Sequence, residues 1–199
     1  MRKQPSQARS KATVYALVEA AARILSDQGW AGFTTNKVAE AAGVSIGSYY
    51  QYFPDKHSLV EAIRDRHLDN CLVVLKKVVE GEKTLPVFVA ELVDGVIAIH
   101  STNPGLHRVL LDETPSLESF RDPNSAFEKE YLGYYQVAVT KYSTRGGSAA
   151  DGRVGMIISD IIDGVVHNAA RRGNLHMAEV RNELIRMIAL YLDGSTAPR

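Results

Sequence analysis

The most chemically informative stretch of the sequence is TTNKVAEAAGVSIGSYYQYFPDKHSL, which covers residues 34–59. Thr34 and Ser45 are good N-terminal caps for two short helices, and Gly43 allows a tight turn between them. Two short helices joined by such a turn are typical of a helix-turn-helix. The second helix carries hydroxyl, phenol and amide side chains instead of a continuous apolar face. A helix of this kind can lie in the major groove of DNA.

The polar side chains of this second helix suit two kinds of DNA contact. Hydroxyl groups and helix N-termini suit phosphate oxygens, whereas the Gln51 amide can form paired hydrogen bonds with adenine. The aromatic residues could instead pack the helix against its neighbours. We expect Tyr49 and Phe53 to pack in this way, and Tyr50 and Tyr52 to face DNA.

Charge is unevenly distributed along the chain, although 23 basic and 23 acidic residues give a net charge of zero. Residues 1–11 contain Arg2, Lys3, Arg9 and Lys11 and no acidic residue, and the excess of basic residues extends to residue 57. A basic first quarter indicates an anionic partner. The residues could therefore form an arm that contacts DNA, or a solvated tail.

The rest of the chain has helical periodicity, and no segment alternates as a strand would. The predicted fold is all-α, with about nine helices. A DNA-binding domain with a basic arm is predicted over 1–57, and a larger helical domain for ligand binding and dimerisation over 58–199. The predicted helices cover about 12–28, 35–42, 46–52, 55–80, 85–102, 105–112, 124–143, 150–172 and 177–193.

Residues 12–65 resemble the DNA-binding domain of the tetracycline-repressor (TetR) family. Members of that family are dimeric helical regulators whose last two helices form the dimer interface. The apolar stripes of the last two predicted helices here are wide enough for that role. The residues that carry the resemblance are Thr35, Ala39, Ala42, Gly43, Val44, Ser45, Gly47, Tyr50, Tyr52, Phe53, Lys56 and Leu59.

The resemblance implies a role in DNA binding for individual side chains. Ser45, at the start of the second helix of the helix-turn-helix (the reading helix), is expected to bind DNA. The residues expected to face base edges are Asn36, Ile46, Gly47 and Gln51. The residues expected to bind backbone phosphates are Thr35, Ser48, Tyr50, Tyr52 and Lys56.

Aromatic and histidine side chains are concentrated in the predicted second domain, as in many small-molecule sites. Any one of them could instead be a core residue. The eighth predicted helix carries a row of Asp and His side chains, which we interpret as packing or interface residues and not as metal ligands. No metal or cofactor is predicted. The residues expected to bind a ligand are His67, Asn70, Phe88, Leu92, His100, Leu110, Phe127, Tyr131, Tyr134 and His167.

These features together predict a ligand-responsive transcriptional repressor that binds a palindromic operator as a homodimer. A small, largely apolar effector is expected to release it. The sequence contains no GxSxG, HExxH, P-loop or nucleotide fingerprint, so an enzyme is not expected. A single cysteine, Cys71, and the lack of a signal peptide or long apolar window favour the cytoplasm. The alternatives are a DNA-binding protein without ligand control and an all-helical enzyme.

Overall fold

The computed structural model describes residues 8–114, 122–143 and 148–194. Within these ranges the chain forms nine α-helices and no strand, which confirms the predicted fold class. No single helix there is long and apolar enough to span a membrane. The segments Leu85–Ser101 and Leu106–Glu113 reach that length and composition only together, as a pair bent by 76°. The helices are α1 Ala8–Gly32, α2 Thr35–Ala41, α3 Ile46–Tyr52, α4 Lys56–Val79, α5 Leu85–Ser101, α6 Leu106–Arg108, which continues as a π-helical turn over Val109–Glu113, α7 Ala126–Tyr142, α8 Ser148–Arg171 and α9 Ala178–Asp193.

The chain divides into two compact units that differ from the predicted domains. The N-terminal unit extends to His67, inside α4, and also contains a later segment that begins at Asn103. The described part of this later segment, residues 103–114, is called the inserted segment below. The C-terminal unit begins at Leu68 and contains the remaining helices. The boundary in the chain thus lies ten residues beyond the predicted one at 57, and the inserted segment returns to the first unit.

Local capping interactions define the helices of the N-terminal unit. The side chain of Thr34 accepts the amide of Lys37, and that of Ser45 accepts the amide of Ser48, as predicted. Asp55 accepts the amide of Ser58 at 2.8 Å at the start of α4. This hydrogen bond lowers the pKa of the Asp55 carboxyl, because it stabilises the charged form.

Helix α1 differs from the prediction at both ends. It begins at Ala8, four residues before the predicted start, so Arg9 and Lys11 are exposed helical residues and not part of an arm. Arg2 and Lys3 lie outside the described residues. Gly29 was expected to end the helix. Instead it has a positive φ and an extended ψ (67° and −176°), which kinks the helix, and the helix ends at Gly32.

Close helix packing and one ion pair organise the C-terminal unit. A Cβ atom on Gly155 of α8 would lie 3.1 Å from the backbone of α7, so glycine allows these two helices to approach closely. Asp94 of α5 pairs with Arg181 of α9, with Oδ2 and Nη2 2.7 Å apart. The guanidinium lowers the pKa of the Asp94 carboxyl. The core of this unit therefore lies among α5, α7, α8 and α9, with the second half of α4.

Candidate nucleic-acid interface

Helix α3 has one buried face and one exposed face. Tyr49 and Phe53 are fully buried, as expected, and the hydroxyl of Tyr49 donates to the Asp55 carbonyl at 3.0 Å. Burial raises the pKa of Tyr49, so its phenol stays neutral. Tyr52 is also buried, with 8% of its surface exposed. Tyr52 is therefore mainly a packing residue, although it was expected to bind a phosphate.

The exposed face of α3 contains most of the residues expected to read bases. Ile46 and Tyr50 are exposed to 39% and 43%. Gly47 and Gln51 are also exposed, as is Asn36 on α2. An apolar side chain beside an amide matches the groups that recognise thymine methyls and adenine edges in the major groove. This exposed face presents a surface suited to DNA.

Hydroxyl groups cluster where α2 and α3 begin. The Thr35 hydroxyl lies 3.2 Å from the Tyr50 hydroxyl, and the Ser45 and Ser48 hydroxyls are 2.8 Å apart. Each pair links two residues that were expected to contact DNA. Hydroxyl groups and the N-termini of helices are common donors to phosphate oxygens. The structure therefore brings these four predicted residues into two small donor groups.

Lys56 lies at the first turn of α4, where helix amides and an ammonium can both attract an anion. Its Nζ is 3.8 Å from the centre of the Trp30 ring, a cation–π contact. The His57 ring packs on the same indole, with centroids 5.0 Å apart. Lys37, in contrast, donates to Gln28 Oε1 and to the Gly32 carbonyl. Sequence reasoning missed Trp30, because its role depends on the fold and not on local spacing.

The residues predicted to bind a ligand are divided between the two units. Leu110 belongs to the core of the N-terminal unit, 1% exposed, and was not expected there. His67 is also in that unit, with its ring centroid 4.3 Å from that of His107. Asn70 is exposed on α4. Two of the predicted ligand residues, His67 and Leu110, therefore belong to the N-terminal unit.

The remaining predicted ligand residues do lie together in the C-terminal unit. Phe88 and Leu92 are core residues, while Phe127 stacks on Tyr131, whose hydroxyl donates to Asp163 Oδ1 at 3.2 Å. The hydroxyl of Tyr134 donates to Glu130 instead. Asp163 belongs to the Asp/His row that was expected to pack or to pair at an interface; its hydrogen bond to Tyr131, 32 residues earlier in the chain, was not predicted.

A buried histidine pairs with a half-buried one in the same unit. His100 Nδ1 lies 2.8 Å from the Val96 carbonyl, which can only accept, so Nδ1 carries the proton. Its Nε2 therefore accepts from Nε2 of His167, 3.1 Å away. Burial, with the neighbouring His167, lowers the pKa of His100 to about 4, so its ring is neutral at neutral pH.

Comparison with known sequences identifies the class of this protein. Residues 17–63 match the sequence model of bacterial regulatory proteins of the tetR family, and residues 84–192 match the tetracyclin repressor-like C-terminal domain. The second match alone covers more than half of the chain. The chain belongs to the tetR family of bacterial regulatory proteins.

Solved structures confirm the fold. A TetR-family transcriptional regulator from Rhodococcus sp. superposes with a TM-score of 0.71 at 20% identity, covering 92% of this chain and 100% of that one. A TetR transcription regulator from Haloarcula marismortui gives 0.69 at 21% identity, over 92% and 98% of the two chains. At these identities the likeness concerns the fold.

Curated relatives match a smaller part of the chain. The nucleoid occlusion factor SlmA of Haemophilus ducreyi is 33% identical over 43% of this chain and 42% of its own length. The SlmA of Aliivibrio fischeri strain MJ11 is 28% identical over 61% of this chain and 64% of its own length. The match thus spans less than two thirds of either relative.

Proposed function

We propose that this regulator is a repressor that binds a palindromic operator as a homodimer and acts in the cytoplasm. The observation that carries the proposal is the exposure of Gln51 and Ile46 on α3, together with the two pairs of hydroxyl groups on and next to α2 and α3. DNA binding is assigned to residues 1–57, and ligand binding and dimerisation to 58–199. A dimer places two equal reading helices one or more DNA turns apart, about 34–36 Å for one turn.

The apolar surface of α8 and α9 supports the proposed dimer. The buried side of these helices contains Ile158 and Leu184, whereas Ile157, Met187 and Leu190 are 40–42% exposed. A groove of about 430 Å³ runs along this exposed surface. Exposed apolar patches of this kind are typical of protein–protein contacts. A second copy of the chain would cover them.

The division of roles on the DNA face can be tested with two substitutions. Lys56→Ala should weaken binding to every duplex and reduce the slope of log affinity against log salt by about one per half-site, since one phosphate contact is lost. Gln51→Ala should cost about 1–3 kcal/mol for the operator and little for other sequences. The operator would be selected from a random duplex pool, and affinity measured by fluorescence anisotropy.

Exposed residues of α7 provide matched controls for both substitutions. Lys129→Ala and Gln136→Ala remove the same functional groups far along the chain from the reading helix. Both variants should bind like the unmodified protein. If Lys56→Ala and Gln51→Ala had equal effects on operator and random DNA, the proposed division of roles would be wrong.

A small, largely apolar effector is the second part of the proposal. Its support is the aromatic group in the C-terminal unit, where Phe127, Tyr131 and Tyr135 follow one another with centroids 5.2–5.5 Å apart. The Asp163 carboxylate accepts a hydrogen bond from Tyr131, and the His100–His167 pair lies in the same unit. A binding site of this composition would accept an apolar ligand with one polar group. The effector would have to prefer the form of the dimer that fits the operator less well.

The dye ANS offers a direct test, since it fluoresces when bound in apolar sites. We expect ANS to bind the dimer. The operator should lower the affinity for ANS, and ANS should lower the affinity for the operator by the same factor, because coupling is reciprocal. His67→Ala should reduce this coupling more than it reduces DNA binding without dye. An ANS affinity that is the same with and without operator would contradict effector control.

The second candidate is a DNA-binding protein without ligand control. The observation that favours it is the similarity to SlmA proteins, which are named nucleoid occlusion factors. The burial of Phe88 and Leu92 within the C-terminal core is also compatible with it. The ANS titration separates the two candidates, because only effector control predicts coupling to the operator.

A further inference from the structure

The two ends of the inserted segment contact the kinked end of α1. At one end, the amide of Gly105 donates to the Ser26 hydroxyl at 3.1 Å. At the other end, Glu113 Oε2 accepts the backbone amide of Trp30 at 3.1 Å, although the two residues are 83 positions apart. Residues 26–30 are therefore held at both ends by one later segment of the chain.

The kink at Gly29 explains why the Trp30 amide is available to Glu113. The ψ angle of Gly29, −176°, turns the following peptide away from the direction of the helical hydrogen bonds. A Cβ atom at Gly29 would lie 2.8 Å from Glu113 Oε2, so glycine provides both the backbone angle and the space. Arg108 forms an ion pair with the other carboxylate oxygen of Glu113. The carboxylate is thus fixed from both sides.

Trp30 connects this contact to the DNA face. Its ring stacks on Phe33, with centroids 6.0 Å apart and 25° between the planes, and the Lys56 ammonium lies 3.8 Å above its centre. A lysine side chain has many rotamers, and ordering it on binding DNA costs conformational entropy. A cation–π contact orders the ammonium beforehand and leaves N–H groups on the opposite side for a phosphate.

We infer that Trp30 and Glu113 are positioning residues for the phosphate contact of Lys56. Glu113 fixes the backbone that carries the indole, and the indole holds the ammonium at the start of α4. This inference rests on the proposed role of Lys56 in DNA binding. It assigns a part in DNA recognition to a residue of the inserted segment, which the sequence places beyond the helix-turn-helix.

The test measures binding to the selected operator and to a mixed-sequence duplex over a range of salt concentrations. Trp30→Leu and Glu113→Ala should each weaken both by about two- to fivefold per half-site, the contribution expected of an exposed cation–π contact. Trp30→Phe keeps an aromatic face, and Glu113→Gln keeps an oxygen for the Trp30 amide, so both should restore most of the affinity. Glu91→Ala, which removes the ion-pair partner of Lys83, is the matched control.

Each variant is repeated in the Lys56→Ala background, with helix content and thermal unfolding measured by circular dichroism. Positioning through Lys56 predicts that Trp30→Leu has no further effect on DNA binding there. An equal effect of Trp30→Leu in both backgrounds, in folded protein, would overturn the inference while leaving the role of Lys56 intact. If Lys56→Ala itself does not weaken binding, the proposed phosphate contact is wrong and the inference falls with it.

Discussion

Leu190→Asp is expected to convert the proposed dimer into a monomer and to lower the affinity for a two-half-site operator by a hundredfold or more. Leu190 is 42% exposed on the α9 surface that we assign to the second copy. An aspartate there would be buried without a partner on association, at a cost large enough to oppose it. Two linked reading helices gain about 10²–10⁴ in avidity over one, and that gain would be lost.

Multi-angle light scattering measures the oligomeric state, and anisotropy titrations measure the affinity for the operator. Affinity for a duplex with a single half-site should change little, because the reading helix itself is unaltered. Val87→Asp is the matched control, since Val87 is similarly exposed, at 47%, but lies on α5. Ile158→Asp would not be informative, because Ile158 is a core residue and the charge would unfold the unit. A Leu190→Asp variant that stays dimeric would place the interface elsewhere.

Phe88→Ala should lower the free energy of unfolding by about 3–5 kcal/mol, the usual loss for a buried phenylalanine. Phe88 is 1% exposed, and its ring stacks on that of Tyr142 with centroids 4.4 Å apart. Removing it would leave a cavity among α5, α7 and their neighbours that the packed helices can only partly close. Urea unfolding at a fixed protein concentration measures the loss.

The neighbouring residue serves as the control for this substitution. Val87→Ala alters an exposed side chain in the same turn of α5 and should change stability by no more than about 0.5 kcal/mol. The result also decides between the two interpretations of Phe88. A loss below about 1 kcal/mol for Phe88→Ala would mean that the ring borders open space, as a ligand-binding residue would, and not a packed core.

Features governed by local chemistry could be predicted from the sequence. Thr34 and Ser45 act as caps because the hydroxyl of each accepts the backbone amide three residues later, and this local hydrogen bond is sufficient to start a helix. The helix-turn-helix and its exposed residues follow from the same short-range pattern. Gly29 was expected to end the helix in a left-handed conformation; its φ is positive as expected, but its ψ is extended and the helix resumes beyond it. Its continuation depends on Glu113, which accepts the amide that the kink exposes.

Features that depend on distant parts of the chain could not be predicted. Leu110 has the same apolar character as a pocket residue, and only the return of the inserted segment to the first unit places it in that core. Tyr52 lies in a polar helix, but its orientation buries it beneath the reading face. The link from Glu113 to Trp30 joins residues 83 positions apart, and no local signal marks it.

The inserted segment also has a consequence for the order of folding during protein synthesis. The core of the N-terminal unit includes Leu106, Val109 and Leu110, which leave the ribosome well after the rest of that unit. Between His67 and Glu113 the ribosome adds 113 − 67 = 46 residues, which takes about 2–9 s at about 5–20 residues per second. During this interval the nascent N-terminal unit lacks three of its core side chains and exposes the apolar surface that they later cover. The N-terminal unit can therefore reach its final packing only after α5 has been synthesised. Its folding thus depends on prior synthesis of part of the C-terminal unit.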